Sequence, residues 1–190
     1  MTMSIGLLAF PDMELIDYAG PYQTFATASR IAGGDAFSLV TIGASREPVV
    51  ARAGATLLPD VSVADQLALD CLIIPGGMHD RSDETRATLT AWIAAQAEMV
   101  PIIASVCTGA FYLAAAGLLD GRDATTHWAA LDTLRERYPA VNVIEKRRWV
   151  DSGRIVTSAG MTAGIDMALH LVERLADADL ATATAKRLEL

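Results

Sequence analysis

Cys107 has the setting of a nucleophile. It stands in Ile102-Ile103-Ala104-Ser105-Val106-Cys107-Thr108-Gly109-Ala110-Phe111-Tyr112-Leu113, where apolar residues lead in and small or helix-forming residues lead out. Ser105 and Gly109 keep both flanks small. That is the steric demand of a nucleophile elbow, a strained strand-to-helix turn that lifts one side chain above a sheet. A thiol there lies at a helix N-terminus, where free N–H groups and aligned peptide dipoles favour a thiolate. Packing is the competing use, because free cysteine is among the most buried residue types. The small-x-Cys-x-Gly setting decides for chemistry. Cys71, inside the apolar run Asp70-Cys71-Leu72-Ile73-Ile74-Pro75, reads as a packing residue.

A thiol needs partners. Asp17 opens a helical pattern shortly after the first apolar run. Its carboxylate could cap that helix, or it could reach the cysteine and act as a general acid or base, since burial raises a carboxyl pKa. Gly76-Gly77 closes a buried strand. It is either a turn or a place where backbone N–H groups approach a substrate and stabilise developing charge; no G-x-G-x-x-G follows. His127, just before Trp128, could pair with Cys107 or serve a polar network. His79 and His170 are weaker candidates, and His170 lies inside a helical pattern. The three histidines are scattered, without the spacing of metal ligands, so no metal site is expected.

The elements that must position these residues alternate. Ser4–Phe10, Ala36–Gly43, Asp70–Pro75 and Val100–Ser105 read as strands, three of them continuous apolar runs buried on both faces. Helices are expected from Asp17 to Gly33-Gly34, with Gly20-Pro21 in the first turns, from Ser82-Asp83-Glu84 onward, and from the elbow to Gly117. Pro48–Ala51 and Ala55–Leu58 suggest a hairpin around Arg52-Ala53-Gly54, and Asp60–Ala64 a helical turn. Ala124–Thr126 reads as a strand, and a helix runs from His127-Trp128 to about Tyr138-Pro139. Val141–Ile144, Arg148–Val150 and Arg154–Thr157 are further strands, the last two joined at Asp151-Ser152-Gly153. Ala159–Gly164 leads into a helix carrying Ile165, Leu169 and Val172, and a last helix follows from Asp177. The pattern predicts an α/β fold, a mostly parallel central sheet with helices on both faces, in one domain over residues 1–190. Sites in such sheets form beyond the carboxyl ends of the strands. The loops after Phe10, Pro75 and Ser105 should therefore converge.

Composition narrows the partners. The net charge of −8 argues against a broad nucleic-acid surface, which needs Lys and Arg to neutralise phosphates. The one dense basic run, Lys146-Arg147-Arg148 beside Glu145 and Asp151, reads as a solvated face. Two cysteines without metal spacing, no basic leader and no membrane-length apolar stretch point to the cytoplasm and to no membrane partner.

These residues together resemble the ThiJ/PfpI superfamily, the class I glutamine amidotransferase-like flavodoxin-type fold. The similarity spans nearly the whole chain. It is carried by Phe10-Pro11 through Leu15-Ile16-Asp17-Tyr18-Ala19-Gly20-Pro21, by Ile74-Pro75-Gly76-Gly77 and by Ser105–Ala110. Ala116-Gly117-Leu118-Leu119-Asp120-Gly121 through Thr126-His127-Trp128, and Gly160-Met161-Thr162-Ala163-Gly164-Ile165-Asp166, complete it. The Asp-x-x-Gly-Pro and Cys-Thr-Gly forms are similar to isonitrile hydratases and to the sensor domains of AraC-type regulators. Protease-like members carry a His directly after the cysteine, where this chain has Thr108.

The hydratase resemblance implies that Cys107 attacks a small isonitrile to give, after hydration, an N-substituted formamide. Asp17 would then move the protons, Thr108 orient polar groups at the sulfur, and the Gly77 N–H beside Gly76 hold the polar end of the intermediate. His127 would lie next to the site. A homodimer without cofactor is implied too. The alternatives are a small-ligand sensor domain or a thiol-based stress or redox protein with a low-pKa thiolate. A helix-turn-helix region of ~100 residues has no room beside this domain in 190 residues, although a longer parent chain stays open. Met13, Leu15, Met78 and Met161 could line the pocket.

Overall fold

The computed structural model describes residues 2–77 and 84–190. The continuous apolar runs become the middle of the sheet. Strands β1 (Met3–Ala9), β6 (Cys71–Ile74) and β7 (Ile102–Val106) are buried almost throughout. With β2 (Phe37–Gly43), β5 (Val61–Ser62), β10 (Trp149–Asp151) and β11 (Ile155–Ser158) they form one seven-stranded sheet, ordered β10-β11-β7-β6-β1-β2-β5. Every pairing is parallel except β10 with β11. Central strands buried on both faces have no alternating pattern, which is why their sequences read as unbroken apolar runs.

Two groups of helices cover this sheet. One joins α1 (Leu15–Ile31), α5 (Ala163–Leu175) and α6 (Ala178–Arg187); the other joins α2 (Glu84–Gln96) to α3 (Ala110–Ala115). Asp177 caps α6 by accepting the Leu180 N–H. The fold is the expected flavodoxin-like α/β arrangement.

Local differences have identifiable causes. Asp60–Ala64 begins extended and only then turns: Val61 and Ser62 extend the sheet edge as β5, because Asp60 exchanges backbone and side-chain hydrogen bonds with Thr41 and Val63 N–H reaches the Gly43 carbonyl, and a single turn at Val63-Ala64 follows, closed by the Asp65 N–H on the Ser62 carbonyl. Helix α1 begins two residues before Asp17, and Pro21 lies inside it. The helix expected from His127 is a 3-10 turn, Trp128–Ala130, followed by α4 (Leu131–Arg137). The predicted hairpin is present as β3 (Val49–Val50) and β4 (Thr56–Leu57), while β8 (Asp123–Ala124) and β9 (Asn142–Val143) form a separate parallel pair. The start of the helix at Ser82-Asp83 lies outside the described residues.

Parallel register delivers the site. Ile74 is level with Ser105, and Ser105 with Thr157, so the turns after β6, β7 and β11 leave the sheet at one edge. The turn after β1 joins them there, where Met13 bridges Gly77.

Candidate active site

Cys107 sits at the corner between β7 and a 3-10 turn, Cys107–Gly109, with a left-handed φ of 56°. A non-glycine residue pays about 1–3 kcal/mol for such a backbone, so the surroundings must impose it. They do so from two sides. The Cys107 N–H donates to the Ala159 carbonyl at 3.3 Å, and its carbonyl accepts the Thr126 hydroxyl at 2.7 Å. Met161 and Asp12, on neighbouring turns, are also left-handed.

Asp17 does not cap α1. It is fully buried, and its carboxyl turns towards the sheet edge. Oδ1 accepts the Met161 N–H at 3.0 Å and Oδ2 accepts the Gly76 N–H at 3.2 Å. The carboxyl lies beside the Cys107 thiol, close enough to hydrogen-bond it. Burial pushes the Asp17 pKa up to about 6, against the pull of these N–H donors; the charge of Glu14 adds to the rise.

The expected low-pKa thiolate is not found. Burial, and then the neighbouring Asp17 charge, push the Cys107 thiol up to about 12. The Thr108 N–H opposes this but does not win. The helix opening supplies little in return, since one 3-10 turn and the six residues of α3 carry a small dipole. The resting pair is thus a neutral thiol beside a carboxyl that is largely ionised at neutral pH.

Gly76 makes this meeting possible. A Cβ there would lie 2.6 Å from Asp17 Oδ2, 2.8 Å from Cys107 Cβ and 2.8 Å from the Thr108 nitrogen. Gly77 is used differently from the expectation. Its N–H donates to Thr108 Oγ1 at 2.9 Å, and the Thr108 hydroxyl donates back to the Gly77 carbonyl at 2.8 Å. Thr108 follows Cys107 on the turn and points its hydroxyl at the β6 loop, so that N–H is occupied in this arrangement.

His127 does come to the site. Its Nδ1 accepts the Ala129 N–H at 3.3 Å, which places the proton of the neutral ring on Nε2. A Cβ on Gly160 would meet His127 Cδ2 at 2.4 Å and Cys107 Sγ at 3.2 Å, so ring and sulfur share one bare backbone position. A cavity of about 540 Å³ opens over the thiol, lined by Glu14, Arg52, Thr108, His127 and Met161 among others.

Glu14, Arg52 and the Met161 N–H were not predicted as site groups. Arg52 arrives on the hairpin turn, whose backbone N–H is tied to the Met13 carbonyl, and no local pattern announces that contact. Met161 lines the cavity as anticipated, whereas Met13 is buried in the core. Met78 and His79 lie outside the described residues. His170 bonds Asp151 at 2.7 Å and stacks on Trp149, in a structural role. Cys71 is fully buried in β6.

The model of the DJ-1/PfpI family matches residues 3–174. The chain belongs to this family. Isonitrile hydratase of Pseudomonas putida is 36% identical over the whole of this chain and 79% of its own length. The HTH-type transcriptional regulator GbdR of Pseudomonas aeruginosa is 33% identical over 96% of this chain, which spans only 49% of that regulator. Among DJ-1/PfpI structures, a ThiJ/PfpI family protein from Pseudomonas syringae superposes with a TM-score of 0.85 at 28% identity, over all of this chain and 75% of its own. Among the described residues, no helix is long and apolar enough to cross a membrane.

Proposed function

We propose that the protein is a cysteine-dependent hydratase acting on a small isonitrile. The observation that supports it best is the buried pair of a neutral Cys107 thiol and an Asp17 carboxyl whose pKa is about 6. Such a carboxyl is poised to take and return a proton near neutral pH. As Cys107 sulfur bonds the terminal carbon of R–N≡C, Asp17 accepts the thiol proton and delivers it to that carbon. The product is the thioimidate R–N=CH–S–Cys107. Asp17 then takes a proton from water as its oxygen adds to the same carbon and passes it to the nitrogen, giving R–NH–CH(OH)–S–Cys107, whose hydroxyl proton goes to the sulfur on collapse. Collapse breaks the C–S bond, releases R–NH–CHO and restores the thiol. Splitting one hydration into two additions is the benefit of covalent catalysis. The Thr108 N–H faces the sulfur and eases development of its charge, while Gly76 and Met161 N–H groups hold the carboxyl. The identity with isonitrile hydratase supports the substrate class.

A cofactor-independent homodimer is the form this activity implies in the family. The similarity to a regulator keeps a second reading, in which the same pocket binds a small ligand without turning it over. A redox role fits less well, because a thiol that is 8% exposed and shifted upward resists oxidation. Incubation with para-nitrophenyl isonitrile, beside Cys107→Ala and Asp17→Asn, is the test. Formamide production by the native protein alone is expected; no turnover would end the hydratase reading, and equal turnover by the variants would end the residue assignment.

A further inference from the structure

A second cavity, of about 420 Å³, adjoins the thiol pocket and shares His127 and Met161 with it. Its remaining wall includes Trp128, Leu131 and the run Lys146-Arg147-Arg148. The same run also lines a cavity of about 600 Å³ with Trp149 and Asp123. The solvated face expected from sequence is therefore folded into the walls of two recesses, although its side chains stay exposed.

The charges there do not cancel. Arg148 pairs with Asp166 and also reaches Thr162 Oγ1. Glu145, the nearest carboxylate in sequence, is held by Arg135 at 2.6 Å. Among the described residues, Lys146 and Arg147 form no ion pair, and no carboxylate lines the 420 Å³ cavity. In a chain of 23 acidic and 15 basic residues, pairing partners are plentiful. Two uncompensated cations beside a recess are then an anion-attracting feature. Lys146 is also held at a left-handed φ of 55°, a strain that concentrates at ligand-holding positions. Beside them Trp128 is 78% exposed, a large apolar ring left open to water where an aromatic ligand gains most from stacking.

We propose that this cavity binds a small aromatic anion, with its ring against Trp128 and Leu131 and its charge taken by Lys146 and Arg147. Because His127 and Met161 belong to both cavities, the bound ring reaches the rim of the thiol pocket. The assignment does not depend on what Cys107 attacks. It can be tested by calorimetric titration of the full chain with 2-naphthoate, 2-naphthyl phosphate and the neutral 2-naphthamide. At least one anion should bind about tenfold or more tightly than the amide, and Cys107→Ala should bind it equally well. Rising salt should weaken the anion alone. The double variant Lys146→Gln/Arg147→Gln should lose the preference for the anion yet keep its affinity for the amide, and Trp128→Ala should weaken all three. These side chains are exposed, so unchanged urea midpoints confirm that the variants fold. The tighter anion identifies carboxylate or phosphate as the charged group. Equal binding of amide and anions, a preference that survives the double substitution, or no binding at millimolar probe overturns the proposal.

Discussion

Replacing Asp17 by Asn should change the stability of the protein in a pH-dependent way. The folded-state pKa of this carboxyl is about 6, raised from 3.8 mainly by burial. For a group raised in this manner, the stabilising contribution is complete below the unfolded pKa and is lost as pH climbs through the folded one. The full shift corresponds to about 3 kcal/mol. Evaluated with these two pKa values, the cost of carrying Asp17 is about 1 kcal/mol at about pH 4.5 and about 3 kcal/mol at about pH 7.5. Asn has the same shape and never ionises, so it avoids that cost, but its NH2 cannot accept from Gly76 or Met161 and strands one N–H at a pH-independent cost of about 1–3 kcal/mol. Urea unfolding of native and Asp17→Asn protein at the two pH values reads the difference directly. The stability of the variant relative to the native protein should rise by about 2 kcal/mol from the lower pH to the higher, while its turnover is lost. A stability gap that does not change with pH would refute the claim that this carboxyl sits in a dry site.

Two further substitutions probe the turns around the thiol. Thr108→Val removes the hydroxyl that both accepts and donates at Gly77; it should cost about 1–3 kcal/mol in urea unfolding by stranding two backbone groups, with Thr108→Ser restoring most of it. Gly160→Ala would place a methyl 2.4 Å from His127 Cδ2. The ring must then move, and kcat/KM should fall about tenfold or more; full activity would show that the ring's position is immaterial.

What could be read from the chain divides by range. The elbow is legible because its requirement is local: an apolar run, small flanks and a helix behind Cys107. The central strands are legible for the same reason. Strand β5 is not, since Val61 and Ser62 are extended only because Thr41 and Gly43 offer them an edge. The thiol's protonation is not legible, because a helix terminus can be seen in sequence and desolvation cannot. Burial of Cys107 and the approach of Asp17 are set by turns far apart in the chain. Gly77 shows the same limit: glycine signalled close backbone approach, but that its N–H meets the Thr108 hydroxyl depends on a turn 31 residues further along the chain. Lys146 and Arg147 have the sequence setting of solvated charges, and their side chains are exposed; that they border a cavity depends on Trp128 and Met161 arriving from elsewhere.

The two backbone bonds that hold the Asp17 carboxyl have a consequence for how the site comes into being. They close loops of 59 and 144 residues, to Gly76 and Met161. Contacts of such separation are made only after the chain has lost the entropy of bringing its distant segments together. Asp17 is therefore enclosed, and its affinity for a proton raised by that burial, only when β1, β6 and β11 have all docked. A half-assembled chain can display the cysteine turn without the carboxyl that serves it. The pairing of thiol and carboxyl is a property of the finished topology, not of any one segment.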